Sequence, residues 1–224
     1  IAQADIERLA QLDSPYKLEE DKAEMGNKLV YFETSRGCPY QCQYCLSSLE
    51  KGVRYFPEDY ILNNLKYLVD SNAKQIKFLD RTFNLNKKHT HMVFDFLIKN
   101  YRANLSCQFE VYADLLKDEM IDYLNGSLPE NYFRFEIGIQ STYEPTNTAV
   151  KRKQDFLLLA HNVRRIMQGG KIDLHLDLIA GRPYETLDRF GRSFNDVFAL
   201  GEKEVQLGFL KMLRGTNLRK DAAM

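Results

Sequence analysis

The sequence has no excess charge, no long apolar run and few cysteines, and each shortage narrows what the chain can be. Thirty-one Lys and Arg are matched by thirty-one Asp and Glu. No overall field therefore draws in nucleic acid or an anionic membrane, and neither is expected as a partner. The longest uninterrupted apolar run, Phe156 to Ala160, falls far short of the ~20 residues that span a bilayer. No signal-peptide pattern opens the chain, and there are only four cysteines. This pattern points to a reducing, cytoplasmic compartment and away from a disulfide framework. No low-complexity tract suggests disorder, and at 44% hydrophobic residues the chain can bury a substantial core. Two basic clusters, Lys151-Arg152-Lys153 and Lys211, Arg214, Arg219 and Lys220, read as solvated surface, with Arg152 set apart below.

What is present is a regular alternation of strand-like and helix-like patterns. At 224 residues the chain is long for one domain, but an α/β barrel routinely occupies this length. Residues 1–28 read as a lead-in joining a missing upstream domain. They hold a short amphipathic pattern (Ile6, Leu9, Leu12), then Asp13-Ser14-Pro15-Tyr16, then a charged run to Lys28. Ile1 is not a start methionine, so a fragment of a longer protein is expected, with residues 219–224 as its C-terminal tail. Strands are expected at 29–34, 75–79, 105–112, 132–139, 172–179 and 205–210. Helices are expected from Pro57, at 87–99, at 115–124 ending at Gly126, at 154–167 closed by Gly169-Gly170, and at about 185–199. Six βα repeats within 29–218 fit an open, partial (β/α)6 TIM-like barrel of parallel strands better than a closed eight-stranded one.

Parallel strands covered on both faces read as continuous apolar runs, yet several here alternate. In the third strand Leu105, Cys107, Phe109 and Val111 oppose Ser106, Gln108, Glu110 and Tyr112. In the fourth, Phe133, Phe135, Ile137 and Ile139 oppose Arg134, Glu136, Gly138 and Gln140. In the fifth, Ile172, Leu174, Leu176 and Leu178 oppose Asp173, His175 and Asp177. With the apolar faces toward the helices, the polar faces line the lumen. Uncompensated burial of so many polar groups is costly, so a wet or ligand-filled cavity is expected.

Three of the four cysteines, Cys38, Cys42 and Cys45, fall within eight positions in a stretch rich in Gly, Pro and Gln that suits a loop. Thiolates this close can share one soft metal centre. A closed zinc site or an electron-transfer cluster takes four protein ligands, whereas a catalytic centre keeps a position open. Three local thiolates match the open case. The competing reading is a zinc or iron–sulfur module for structure or electron transfer, whose fourth ligand is Cys107 or a histidine.

The spacing C-x3-C-x2-C, with Tyr44 directly before the last cysteine, resembles the signature of the radical S-adenosylmethionine (SAM) superfamily. The resemblance implies that Cys38, Cys42 and Cys45 hold three irons of a [4Fe-4S] cluster, that SAM chelates the fourth, and that Tyr44 lies near the adenine. The stretch Phe78-Leu79-Asp80-Arg81-Thr82-Phe83-Asn84 is similar to the Asp-x-x-Phe-Asn form of cobalamin-associated and methylthiotransferase-like branches, which implies Asp80 for the methionine amino group. Phe135 to Ser141 resembles the fourth-strand E-x-G-x-Q-S stretch. By that likeness Gln140, Arg152 and Asp177 approach SAM, with Arg152 clamping its carboxylate; Glu110 is carried over from the third strand. Asp177 to Pro183 and Leu213 to Thr216 resemble the fifth- and sixth-strand endings, D-L-I-x-G-x-P and L-x-G-T.

The implied chemistry is reductive cleavage of SAM to methionine and a 5′-deoxyadenosyl radical, which abstracts hydrogen from a substrate in the lumen. A reductant such as flavodoxin or ferredoxin supplies the electron. No catalytic residue is assigned; His175 faces the lumen as a candidate proton-transfer group. The lead-in and the cysteine stretch most resemble proteins in which a cobalamin-binding domain precedes the barrel, so cobalamin in a domain outside this sequence is a further implied cofactor, with methyl transfer or a ring rearrangement as its outcome. A methylthiotransferase acting on tRNA or protein would need more cluster cysteines and an RNA-binding domain, which these residues do not supply.

Overall fold

The computed structural model describes residues 3–50 and 52–222. Two short helices, α1 (Ile6–Ala10) and α2 (Glu19–Glu24), lead into β1 (Leu29–Phe32), followed by an antiparallel pair, β2 (Ser35–Cys38) and β3 (Gly52–Tyr55). The repeats follow as α3 (Glu58–Asp70), β4 (Gln75–Phe78), α4 (Lys87–Lys99), β5 (Ser106–Glu110), α5 (Asp118–Ser127) and β6 (Phe133–Gln140). Then come α6 (Glu144–Ala149), α7 (Phe156–Gly169), β7 (Ile172–Ala180), α8 (Leu187–Phe198), β8 (Val205–Phe209) and α9 (Asn217–Asp221).

The six strands pair in parallel in the order β1-β4-β5-β6-β7-β8, each crossing to the next through a helix. β1 and β8 are the two edges, so the barrel stays open, as expected from six repeats. Local chemistry explains the helix bounds. Asn86 accepts from His89 N to start α4, and Asp155 accepts from Leu158 N to start α7; these are ordinary side-chain caps on orphan amides. Gly170, at φ 63°, ends α7 in the left-handed region that suits glycine.

Alternation becomes a sharp division of faces. The apolar side of the strands meets the helices in an aromatic core. Phe109 is fully buried, its ring centroid 4.3 Å from Phe78, 4.6 Å from Phe83 and 5.1 Å from both Phe94 and Phe133. β6 is buried at every second residue, and its polar positions Arg134, Glu136, Gly138 and Gln140 point the other way, into the lumen.

Three local expectations are corrected. α5 begins at Asp118, because Ala113–Leu115 form a separate tight turn and Lys117 is extended. It continues through Gly126, since Met120, Ile121 and Leu124 are already buried and hold it. The cysteine stretch is not all loop: Cys38 closes strand β2, paired with Gly52. The lead-in packs on the barrel. Ile6 and Met25 join the core, and Tyr16 Oη accepts from Tyr31 N at 2.8 Å and donates to Tyr31 O at 3.1 Å.

Candidate cofactor site

The β2–β3 pair presents the cysteines at the ends of the parallel strands. Gly37 has φ 95°, and a Cβ there would lie 2.2 Å from Gly52 O; only glycine lets the two strands close before Cys38. Beyond it the backbone turns through Cys45 N donating to Cys42 O at 3.0 Å, and Ser48 Oγ donates to Cys45 O at 2.6 Å. All three cysteines are free thiols, with Cys42 buried and the others half-buried. Burial pushes the Cys38 thiol up, and Thr82 Oγ1, 3.6 Å from its sulfur, partly opposes this.

These thiols line one cavity of about 390 Å³ that runs into the lumen, whose walls also carry Tyr44, Glu110, Gln140, Arg152, His175 and Asp177. The structure thus gathers residues from five separate segments that the sequence singled out. It also adds Tyr112, Glu136, Arg81 and Gln206. Tyr112 and Glu136 were legible as lumen-facing by alternation; Arg81 and Gln206 carried no sequence signal.

Asp80 lies apart from this set. It is buried and absent from the cavity wall. Its Oδ2 accepts from Thr34 N at 2.9 Å, and its Oδ1 from Thr34 Oγ1 and Ser35 Oγ at 2.6 Å each. Both oxygens are occupied in tying the chain just after β4 to the β1–β2 connection at Thr34 and Ser35. Burial raises its pKa, with those hydrogen bonds opposing.

Gln140 ends β6 at a register shift, at φ 68°. Its Oε1 is buried without a hydrogen-bond partner, and a Cβ on Gly138 would lie 2.4 Å from its Nε2. An orphaned buried acceptor in a strained residue on a cavity wall is a group waiting for a donor.

Arg152 is held between strands: Nη1 donates to Tyr112 Oη at 2.7 Å, Nε to Gln154 Oε1 at 3.1 Å and Nη2 to Gly138 O. Its guanidinium also lies 4.8 Å from the centroid of the Tyr112 ring, which stacks on Tyr40 at 4.4 Å.

Deeper in the lumen the polar faces pair with one another. Lys77 Nζ lies 3.1 Å from Glu136, and Arg134 bridges Asp173 and Glu204. His175 has both ring nitrogens engaged, Nδ1 with Glu204 at 2.7 Å and Nε2 with Asp177 at 3.0 Å. Among the described residues Glu110 pairs only with Arg81, at 3.6 Å. Burial pushes its pKa up to about 7, helped by Glu136 and opposed by Arg81. Asp177 is likewise raised by burial.

Among the described residues no three His, Cys, Asp or Glu side chains already stand gathered around one point as a metal site, so the thiols share a wall without yet converging. The donor set nonetheless fits a thiophilic centre with an open position. A fourth thiolate is unavailable: Cys107 is fully buried on the helix-facing side of β5. His175, the histidine on the cavity wall, is spoken for on both nitrogens. Of the fourth ligands expected for a closed module, Cys107 faces away and His175 is engaged on both nitrogens.

Known proteins share this fold and part of this sequence. A stretch is 45% identical over 58 residues to an uncharacterized methyltransferase, PH0819, of Pyrococcus horikoshii, covering 25% of this chain and 13% of that protein. The fold superposes on the radical SAM methyltransferase TsrM of Kitasatospora setae, solved with cobalamin and a [4Fe-4S] cluster bound, at a TM-score of 0.73 and 16% identity over 85% of this chain and 38% of that one. It superposes on the coproporphyrinogen III oxidase HemN of Escherichia coli, a radical SAM enzyme, at 0.64 and 16% identity over 87% of this chain and 48% of that one. The chain therefore spans under half the length of each of these relatives. The family model of the radical SAM superfamily matches residues 32–197, from β1 through α8, and the chain belongs to that superfamily.

Proposed function

We propose that this chain is the catalytic barrel of a radical SAM enzyme, with Cys38, Cys42 and Cys45 holding a [4Fe-4S] cluster whose open iron takes SAM. The observation that carries the reading is one cavity wall bearing three free thiols and the unpartnered Oε1 of Gln140. When bound, the cluster and SAM supply one-electron cleavage to methionine and a 5′-deoxyadenosyl radical.

The chain's own residues do the binding and orienting. Gln140 Oε1 accepts a hydrogen bond from SAM, and Tyr44 flanks the adenine. Arg152 contributes positive charge beside Cys42 and retains guanidinium N–H groups for a carboxylate. Asp177 and Glu110 stand on the lumen side, toward the substrate. His175, fixed by Glu204 and Asp177, orients Asp177. A reducing compartment such as the cytoplasm keeps the thiols free for this role. Cobalamin use is not carried over from TsrM, because at 16% identity the likeness is one of fold.

The test is anaerobic iron–sulfur reconstitution followed by a dithionite-dependent SAM cleavage assay on this chain and on Cys42→Ala. Formation of 5′-deoxyadenosine by the parent alone is the expected result. A parent that assembles a full cluster yet neither binds nor cleaves SAM overturns the reading.

A further inference from the structure

The strained residue of the cavity wall, Gln140, is the middle of a three-residue turn. Ser141 N donates back across it to Ile139 O at 2.8 Å, and Gln140 itself has φ 68°. A turn closed by an i to i+2 bond around a positive-φ residue is the rare, strained form. At a residue other than glycine it persists only where the surroundings over-determine it. They do so through Ser141, which is fully buried and has all its polar groups engaged. Its Oγ donates to Glu185 Oε1 and accepts from Tyr143 N at 2.9 Å, and its O accepts from Asn147 Nδ2 at 3.0 Å.

Glu185 and Asn147 are in turn tied to one cation. Arg182 Nη2 donates to Glu185 Oε2 and Nη1 to Asn147 Oδ1, at 3.3 Å each, and Nε donates to Ile179 O at 3.2 Å. The side chains of Arg182 and Glu185 are both fully buried. Ser193 completes the cluster: its Oγ donates to Glu185 Oε1 at 3.0 Å and accepts from Thr142 N at 3.2 Å. The cluster therefore joins the end of β6 to α6, to the turn after β7 and to α8. None of Ser141, Asn147, Arg182, Glu185 and Ser193 lines the cysteine cavity, so whatever they do for a ligand there they do through Gln140 or another wall residue.

We propose that Ser141, Glu185 and Arg182 are positioning residues that clamp this turn and so present the unpartnered Oε1 of Gln140 to the cavity. The inference rests on the radical SAM reading above for the ligand that Gln140 meets, SAM. Apolar side chains of similar volume often replace a buried ion pair with no loss of stability. The Arg182–Glu185 pair is therefore kept for the geometry it fixes: a fork that holds the acceptor of Ser141 Oγ with one nitrogen and the donor to Ser141 O with another. Ser141 passes that constraint to its neighbour, because a residue whose N–H, hydroxyl and carbonyl are all fixed leaves Gln140 one backbone conformation.

Two variants cut the clamp: Ser141→Ala, and Arg182→Met/Glu185→Met, which strands no buried charge and leaves the Ser141 and Ser193 hydroxyls 3.2 Å apart to bond each other. Each is made in the parent and in Gln140→Ala. After anaerobic reconstitution, absorbance gives the cluster content and calorimetry the Kd for SAM; hydrogen exchange of the Ser141 amide is followed without SAM. Both variants are expected to load the cluster as the parent does, to exchange Ser141 about tenfold faster and to bind SAM about fivefold more weakly. With Gln140 already alanine, the same changes should move the Kd less than about twofold, because the residue they position is gone. A role in the fold alone weakens SAM binding equally in both backgrounds, and that result overturns the inference. So does a parent-like Kd, or parent-like Ser141 exchange, in a folded and fully loaded variant. Should the double replacement not fold, Ser141→Ala carries the same comparison. A parent that loads the cluster yet binds no SAM overturns the proposed function instead, while the exchange measurement still decides whether the clamp holds the turn.

Discussion

The two faces of the same three strands, β5 to β7, solve opposite problems. On the helix side Phe109, Phe133, Phe135, Leu174 and Leu176 are at most 1% exposed. They gain from being dry, each such side chain contributing on the order of 1.5–3 kcal/mol. On the lumen side Gln108, Glu136, Arg134, His175 and Asp177 gain little by burial and are kept tolerable by pairing with one another. Of the carboxylates there, Glu110 has the weakest pairing. The lesson is a division of labour at alternate residues: one face stabilises the barrel, and the other holds polar groups in position at a small net cost so that they can meet a ligand.

The strongest way to break that comparison is to cut the dry face. Phe109→Ala is expected to cost about 3–5 kcal/mol of unfolding free energy, measured by urea denaturation, because the five rings around it relax only partly into the gap. Gln140→Ala is the matched change on the other face. It removes an acceptor that has no partner, so it should leave stability within about 0.5 kcal/mol while weakening SAM binding roughly tenfold by calorimetry. A Gln140 variant that unfolds like the Phe109 one would end the division of faces.

Next in size is the Lys77–Glu136 pair, whose side chains are 25% and 21% exposed. Lys77→Met strands Glu136, which also accepts from Gln108, and should cost roughly 1–3 kcal/mol. Adding Glu136→Leu removes the stranded charge and should restore most of it. A double variant no better than the single one would show that the lumen pairs are worth more than their mutual compensation.

How much of this was legible depended on whether a feature is periodic. Six strands, their order and the orientation of residues such as Phe135 against Glu136 followed from alternation, because a period of two leaves no freedom about which side faces the helices. The cysteine spacing led to the cavity for a similar reason, being local. Contacts that depend on tertiary placement were not legible. Asp80 matched a motif letter by letter, yet its oxygens went to Thr34 and Ser35, since the antiparallel pair β2–β3 that brings Ser35 there has no signal in a stretch read as loop. The fully buried pair of Arg182 with Glu185 at 3.3 Å, which ties the turn after β7 to Asn147 of α6, was hidden for the same reason: α6 itself was not anticipated. Arg152 was expected to present its guanidinium to a ligand, but the alternation that put Tyr112 on the lumen face could not show that the two would bond.

The finest test of the comparison is the pH dependence set by Glu110. Its pKa in the folded chain is pushed up to about 7 from an ordinary 4.5, by burial first and by Glu136 second, with Arg81 opposing. A carboxyl that holds its proton more tightly when folded favours folding fully below about 4.5, and that contribution is lost as pH rises through about 7. Glu110→Gln keeps the shape and cannot titrate, so the variant should gain on the parent between pH 5 and pH 8. Its side chain is 34% exposed, and solvent screening reduces the effect to roughly 1 kcal/mol. Urea midpoints of the two proteins, taken at unit steps of pH, should therefore diverge upward through neutrality. Parallel curves would mean that the lumen around Glu110 is as well hydrated as open water, and the contrast between the two faces of the sheet would fail at that residue.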